Sequence, residues 1–205
     1  ATPMIFFLRI SRAGQARVTY PDGATFSGAF DEAKQKTGAG TYAWAVPEDA
    51  EEGATLPVRY EGAYAAGRRT GKGCMAYSDG NSYNGQWRAN AKEGYGTFSY
   101  ANGDRYAGQF HHNRKHGRGA YFFAGSGGLQ IEGEWQAGAV VSGKIVYPDG
   151  STYHSSRWAG GLPSGPGIFY HVNGVQQQGT YAPAGGDAGD GDGGDGGERP
   201  NLAWT

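Results

Sequence analysis

Polar and apolar residues alternate along most of the chain with the two-residue period of half-buried strands. From Tyr83 to Arg88, the residues Tyr83, Gly85 and Trp87 fall on one face, and Asn84, Gln86 and Arg88 on the other. Gly96, Phe98 and Tyr100 make a second stripe, backed by Thr97 and Ser99. Such a block predicts two short strands, and the block recurs. Tyr60, Gly62, Tyr64, Gly71, Gly73, Tyr77 and Gly80 are followed, 23 residues on, by Tyr83, Gly85, Trp87, Gly94, Gly96, Tyr100 and Gly103. Tyr106, Gly108, Phe110, Gly117, Gly119 and Phe123 repeat the spacing once more. Self-similarity at a fixed period is the mark of a repeat architecture, in which each unit contacts only its neighbours.

The pattern loosens on both sides. Upstream, Phe26, Gly28, Phe30, Gly38, Gly40 and Trp44 form a unit with one extra residue, followed by an insertion near 45–57. Downstream, Ile131, Gly133, Trp135, Gly143 and Tyr147 form a shortened unit. Tyr153, Trp158, Gly165, Gly167 and His171 form a sixth, with Ser155 in the place of a glycine. Gly14 to Gly23 is the second half of a preceding unit, and Gln177 to Tyr181 is a seventh stopped halfway. Asp22-Gly23, Asp79-Gly80, Asn102-Gly103, Asp149-Gly150 and Asn173-Gly174 share one phase of the repeat and predict tight turns with a positive φ. The other connection, such as Arg88–Glu93, is expected to be a polar loop of about six residues. A glycine between two rings on one strand face leaves a gap that a ring can cover. Rings of one hairpin are therefore expected to lie over glycines of the next.

Composition narrows the class. The 205 residues include 39 glycines and carry a formal charge of −1. Glycine costs about 1 kcal/mol in each helix interior position, which disfavours a helical protein. Only 9 prolines and no three-residue glycine period exclude collagen. The longest apolar run, Met4 to Leu8, is far short of the ~20 residues that span a bilayer, and it lacks the flanks of a signal peptide. One cysteine, Cys74, excludes an internal disulfide framework and fits a reducing compartment. The near-neutral charge argues against a nucleic-acid partner.

The spacing Tyr-x-Gly-x-Trp/Phe, then Gly-x-Gly, then an aromatic and a turn glycine, resembles the MORN repeat over residues 14–183. The resemblance implies an all-β fold: an elongated single-layer antiparallel ribbon of stacked hairpins that serves as a scaffold, with no enzyme activity, cofactor or metal. Residues 1–13 are left as a terminal segment, a cap or a partner contact. Residues 184–205 read as a disordered, acidic, glycine-rich tail ending in two anchor candidates, Leu202 and Trp204. Ser164-Gly-Pro-Gly167-Ile-Phe-Tyr170 followed by Asn173 to Tyr181 is similar to the way the repeats end in radial spoke head proteins. That likeness implies an axonemal location in cilia or flagella, other spoke head subunits or axonemal proteins as partners, and a role in passing mechanical signals between central pair and dynein arms. Self-association is a further possibility. The alternatives are another, microtubule-associated axonemal MORN scaffold, and a membrane adaptor whose basic edge binds phosphoinositides. No anchor or dense polybasic cluster supports stable membrane attachment.

Two sets of residues are candidates for partner contact. The first is the aromatic face: Tyr60, Tyr64, Tyr83, Trp87, Tyr106, Phe110 and Trp135, which one layer is not expected to bury alone. The second is a basic strip recurring at one phase, with Arg88, Lys92, Arg114 and Lys115 at its centre and Arg68, Arg69, Lys72 and Arg118 beside them. It is either a solvated edge or a contact for acidic protein surfaces or anionic headgroups. Several other patterns are structural. The recurring Gly-x-Gly pairs lack the third glycine and the helix of a dinucleotide loop, and Gly71-Lys72-Gly73 lacks the frame of a phosphate loop. His111, His112 and His116 read as a solvated loop, since cationic neighbours and the lack of a full ligand set argue against a metal. Cys74 reads as a strand residue on the polar side. Asp187 to Glu198 has glycines at the ligand positions of a calcium loop.

Overall fold

The computed structural model describes residues 7–10, 15–45, 47, 55–183 and 202–204, with 7–10, 181–183 and 202–204 described by their backbone alone. Every regular element among them is a strand, and all strand pairings are antiparallel. The chain divides into two compact units, Ala1–Ala101 with Phe110–Asn113, and Asn102–Gln109 with Arg114–Thr205.

In the first unit the strands run β1 (Phe7–Ile10), β2 (Ala16–Thr19), β3 (Thr25–Phe30), β4 (Lys36–Ala43), β5 (Pro57–Ala65), β6 (Arg68–Tyr77), β7 (Ser82–Arg88) and β8 (Ala91–Ser99). Each pairs with the next in sequence. The second unit contains most of β9 (Arg105–His111), then β10 (Arg114–Phe122), β11 (Gln130–Gln136), β12 (Ala139–Val146) and β13 (Thr152–Ser155). A small two-stranded hairpin, β14 (Trp158–Ala159) with β15 (Leu162–Pro163), interrupts the order. Beyond it β16 (Gly165–Tyr170) pairs with β13, β17 (Gln176–Pro183) with β16, and β18 (Leu202–Trp204) with β17. The expected stacking of hairpins is thus present, and Phe7–Ile10, before the repeats, adds one more strand to β2. Residues 184–201, assigned to the tail, lie outside the described residues.

Two kinds of turn alternate. At the Asp-Gly and Asn-Gly positions the glycines have φ near +85°: Gly23, Gly80, Gly103, Gly150 and Gly174. Gly80 donates to the Tyr77 carbonyl and Tyr77 to the Asn81 carbonyl, the closure of a three-residue loop with a left-handed glycine. The side chain of the preceding Asp or Asn accepts from the amide two residues on, as Asp79 does from Asn81 at 2.9 Å. The other connection is shorter than its polarity suggested. β7 runs to Arg88 and β8 begins at Ala91, leaving Ala89 and Asn90, with φ of +50° and +75°. His112 and Asn113 do the same at +48° and +71°. These two-residue turns match the right-handed twist of the strands. The charged residues on either side therefore sit on strands.

A candidate interaction surface

The aromatic residues pack by one rule. Tyr83 projects along its own hairpin, and its hydroxyl donates to the Gln86 carbonyl at 3.0 Å. Its ring covers Gly85 and Gly96, which face each other across the hairpin; a Cβ on Gly96 would meet the ring carbons at 2.6 Å. Tyr60 covers Gly62 and Gly73 in the same manner, Tyr106 covers Gly108 and Gly119, and Phe26 covers Gly28 and Gly40. The ring-over-glycine account holds, with one correction: the glycines under each ring belong to the ring's own hairpin. The reason is reach, since a tyrosine lying along its strand spans to residue +2 and the partner opposite. Neighbouring hairpins are joined instead by edge-to-face ring contacts. Tyr60 meets Trp87 at 5.3 Å and Tyr83 meets Phe110 at 5.0 Å, both near perpendicular. The Trp87 indole N–H donates to the Gly73 carbonyl one hairpin back, as Trp135 does to Gly119.

This packing corrects the expectation of an open aromatic face. Tyr60, Tyr64, Tyr83, Trp87, Tyr106, Phe110 and Trp135 are all buried, none more than 7 % exposed. The rings are large enough to cover one another once glycine lets each lie flat on the sheet. Burial pushes the Tyr60 hydroxyl pKa up to about 12, and it raises those of Tyr64, Tyr83 and Tyr106 as well. These seven residues belong to the core of the stack.

The basic strip also separates into two sets. Arg88 and Arg114 are exposed. Lys92 is half-buried, and its ammonium lies over Phe98 at 4.5 Å and over Tyr83 at 5.5 Å. Lys115 lies over Trp135 at 5.1 Å and Tyr121 at 5.3 Å. Two cations that the repeat spacing did not single out as ring-facing behave likewise. Arg69 stacks over Trp87 at 4.7 Å, and Lys36 over Tyr42 at 4.2 Å. Burial lowers the pKa of both. Each faces the second ring of its unit across the hairpin: Phe30↔Lys36, Tyr64↔Arg69 and Trp87↔Lys92. Their carbonyls also join successive turns, accepting from Gly67, Asn90, Asn113 and Gly138 at 3.0–3.1 Å. A column of cations thus lies over the rings, while Arg68, Lys72, Arg88, Arg114 and Arg118 stay outside. The deciding feature is the two-residue turn, which pairs residues an odd count apart: Trp87 meets Lys92, while Arg88, an even count from Lys92, pairs with Ala91 on the opposite face.

Away from the rings, Glu61, Cys74 and Asn84 are exposed on the opposite sheet face, so Cys74 is a polar-side strand residue as expected. Leu202 and Trp204 belong to a strand paired with β17; their side chains lie outside the described residues.

A family model for the MORN repeat matches residues 60–82, 83–105, 106–127, 132–152 and 154–176. The chain belongs to the MORN-repeat family. Its five matched repeats coincide with the ring-and-glycine hairpins from β5 onward, and the fold is a repeat scaffold suited to binding other proteins. No curated protein matches the chain. Among solved structures, the TCP10c domain of Drosophila melanogaster Sas-4 is similar at 14% identity and a TM-score of 0.48, covering 85% of this chain and 98% of that one. The TCP10 domain of Danio rerio CPAP, in complex with a peptide of Danio rerio STIL, is similar at 10% identity and a TM-score of 0.33, covering 85% and 83%. Likenesses this distant carry no argument about function.

Proposed function

We propose that this MORN protein is a structural scaffold of the ciliary or flagellar axoneme, a radial spoke head subunit supporting mechanical signalling between the central pair and the dynein arms. The observation that carries the reading is how the repeats end. Ser164-Gly-Pro-Gly167 leads into β16, which pairs with the glutamine-bearing β17 through Gly167↔Gly179, and this is the segment similar to spoke head proteins. Because the rings are covered, partner contact falls to the exposed outer set, with Arg88 and Arg114 at its centre, and acidic protein surfaces are its complement. The inward placement of Lys92 and Lys115 weighs against the lipid alternative, since it removes two cations from any headgroup contact.

The test is recovery of the tagged protein from detergent-extracted axonemes, followed by mass spectrometry of the proteins recovered with it. Co-recovery of spoke head subunits is expected. Recovery with a different axonemal complex, or loss of the protein with the detergent-soluble membranes, overturns the assignment. Sedimentation with anionic liposomes across salt concentrations gives an independent reading, and strong salt-sensitive binding favours the membrane alternative.

A further inference from the structure

One polar cluster stands apart from the scaffold. Along the chain His111 and His112 have no further ligand beside them; the fold supplies one, Glu93, from the adjoining repeat. His111 ends β9, and its Nδ1 lies 2.9 Å from Glu93 Oε1. His112 is the first residue of a two-residue turn, and its φ of +48° turns its side chain back toward that of its neighbour. The two imidazoles are near perpendicular with centroids 4.1 Å apart, and His112 Nδ1 lies 2.8 Å from His111 Nε2. The second Glu93 oxygen accepts from the His112 amide at 3.1 Å, which fixes the carboxylate beside both rings. One ligand atom from each of the three lies within 4.8 Å of the other two.

We propose that Glu93, His111 and His112 form a binding site for a divalent transition-metal ion of the zinc class, which clips two successive repeats together. Two imidazole nitrogens and one carboxylate oxygen are a donor set that zinc takes, at roughly 2.0–2.2 Å each. Ligand atoms around such an ion stand about 3.3 Å apart, so closure from the present spacing needs side-chain shifts on the order of 1 Å. The site is open to solvent, with the His111 side chain 53% and that of Glu93 25% exposed, so an ion enters directly and water completes its coordination. Lys92 does not oppose it, because strand alternation turns Lys92 onto the other face, over Phe98. The cluster is no by-product of the repeat. The same register positions hold Thr70, Arg88 and Ala89 one repeat earlier, and His116, Gln136 and Ala137 one repeat later.

The experiment is calorimetric titration of the full chain, carrying Cys74→Ser to remove the exposed thiol, with zinc chloride alone after chelator treatment. One ion per chain is expected. His111→Ala, His112→Ala and Glu93→Ala each weaken binding at least tenfold, while His116→Ala leaves it unchanged. Melting temperature, measured in parallel, rises with zinc in the parent and not in the three variants. Because the three residues are at the surface, the variants melt like the parent when chelator is present, which separates loss of metal from loss of fold. Absence of binding in the parent, or undiminished binding in any one of the three variants, overturns the site.

Discussion

The hairpins β7–β8 and β11–β12 use the same pair of facing glycines for different reasons. In the first, Gly85 and Gly96 lie under the ring of Tyr83, and the ring is what a Cβ on Gly96 would strike. In the second, Ile131 stands where the tyrosine would be and cannot reach over Gly133 and Gly143. There a Cβ would strike main chain, the Ser142 carbonyl oxygen at Gly133 and the Glu132 carbonyl oxygen at Gly143. The cation position opposite Trp135 is filled by Val140, 2 % exposed, where β7–β8 places Lys92 opposite Trp87. A repeat can therefore lose its ring and its cation and keep its glycines, because the glycines also let two strands close against each other.

The sharpest way to break this comparison is to add bulk at both sites. A ring can swing aside, but a carbonyl held in a strand ladder cannot. Gly133→Val is expected to cost about 3 kcal/mol or more, above the ~1–3 kcal/mol usual for overpacking, and Gly96→Val about 2 kcal/mol. Ala101→Val, at an exposed turn, should stay within about 0.5 kcal/mol. Chemical denaturation of the three variants gives the order. Equal losses at Gly96 and Ala101 would contradict the ring-over-glycine packing, and a smaller loss at Gly133 than at Gly96 would erase the distinction between the hairpins.

A second comparison isolates the ring itself. Trimming Tyr83 to Leu should recover about 1 kcal/mol of the cost of Gly96→Ala, since the obstructing atoms are gone. Ile131→Ala should recover nothing from Gly133→Ala. Two double-mutant cycles measure both couplings, and a coupling of similar size in each hairpin would show that side chains, not carbonyls, crowd Gly133.

Alkaline pH tests the burial of the ring that covers Gly62 and Gly73 in β5–β6. The buried Tyr60 hydroxyl titrates near pH 12, against about 10 in an unfolded chain. The folded state therefore holds its proton more tightly. The stabilisation is complete below about pH 10 and is lost as pH rises from there through about 12. Ultraviolet titration should show tyrosinate appearing late in the folded chain and near pH 10 in denaturant. Tyr60→Phe should lessen the alkaline loss of stability, and an unchanged loss would locate it elsewhere.

The smallest effect belongs to the cations. Lys92→Met keeps the aliphatic stem over the rings and removes the charge. A loss of about 0.5–1 kcal/mol is expected, the range of a half-exposed cation–π contact. No measurable change in melting would reduce the column to packing alone, as Val140 already supplies in the other hairpin.

Much of this architecture is readable from residue spacing. Tyr83, Gly85 and Trp87 on one face and Asn84 and Gln86 on the other come from strand parity, and the hairpins come from the recurring Asp-Gly and Asn-Gly turns. Parity misleads where the turn between two strands is misjudged. Arg88 and Lys92 share one edge by spacing, yet one faces solvent and the other lies over Phe98, because a two-residue turn pairs Arg88 with Ala91 and Trp87 with Lys92. The polar character of Arg88–Glu93 points to a loop on equally local grounds. Strand residues on a solvated edge carry loop-like composition, and only the positive φ values of Ala89 and Asn90 show that the turn is two residues long.

By itself the sequence determined the all-β class, the repeat, its phase and the need for glycine, because each is a local consequence of backbone sterics and a two-residue period. Tertiary structure decided which glycines each ring covers, that the rings shield one another, and that Glu93 meets His111 and His112. Those outcomes depend on how far a side chain reaches and on the register between strands some twenty residues apart, and no spacing along a single chain encodes either distance.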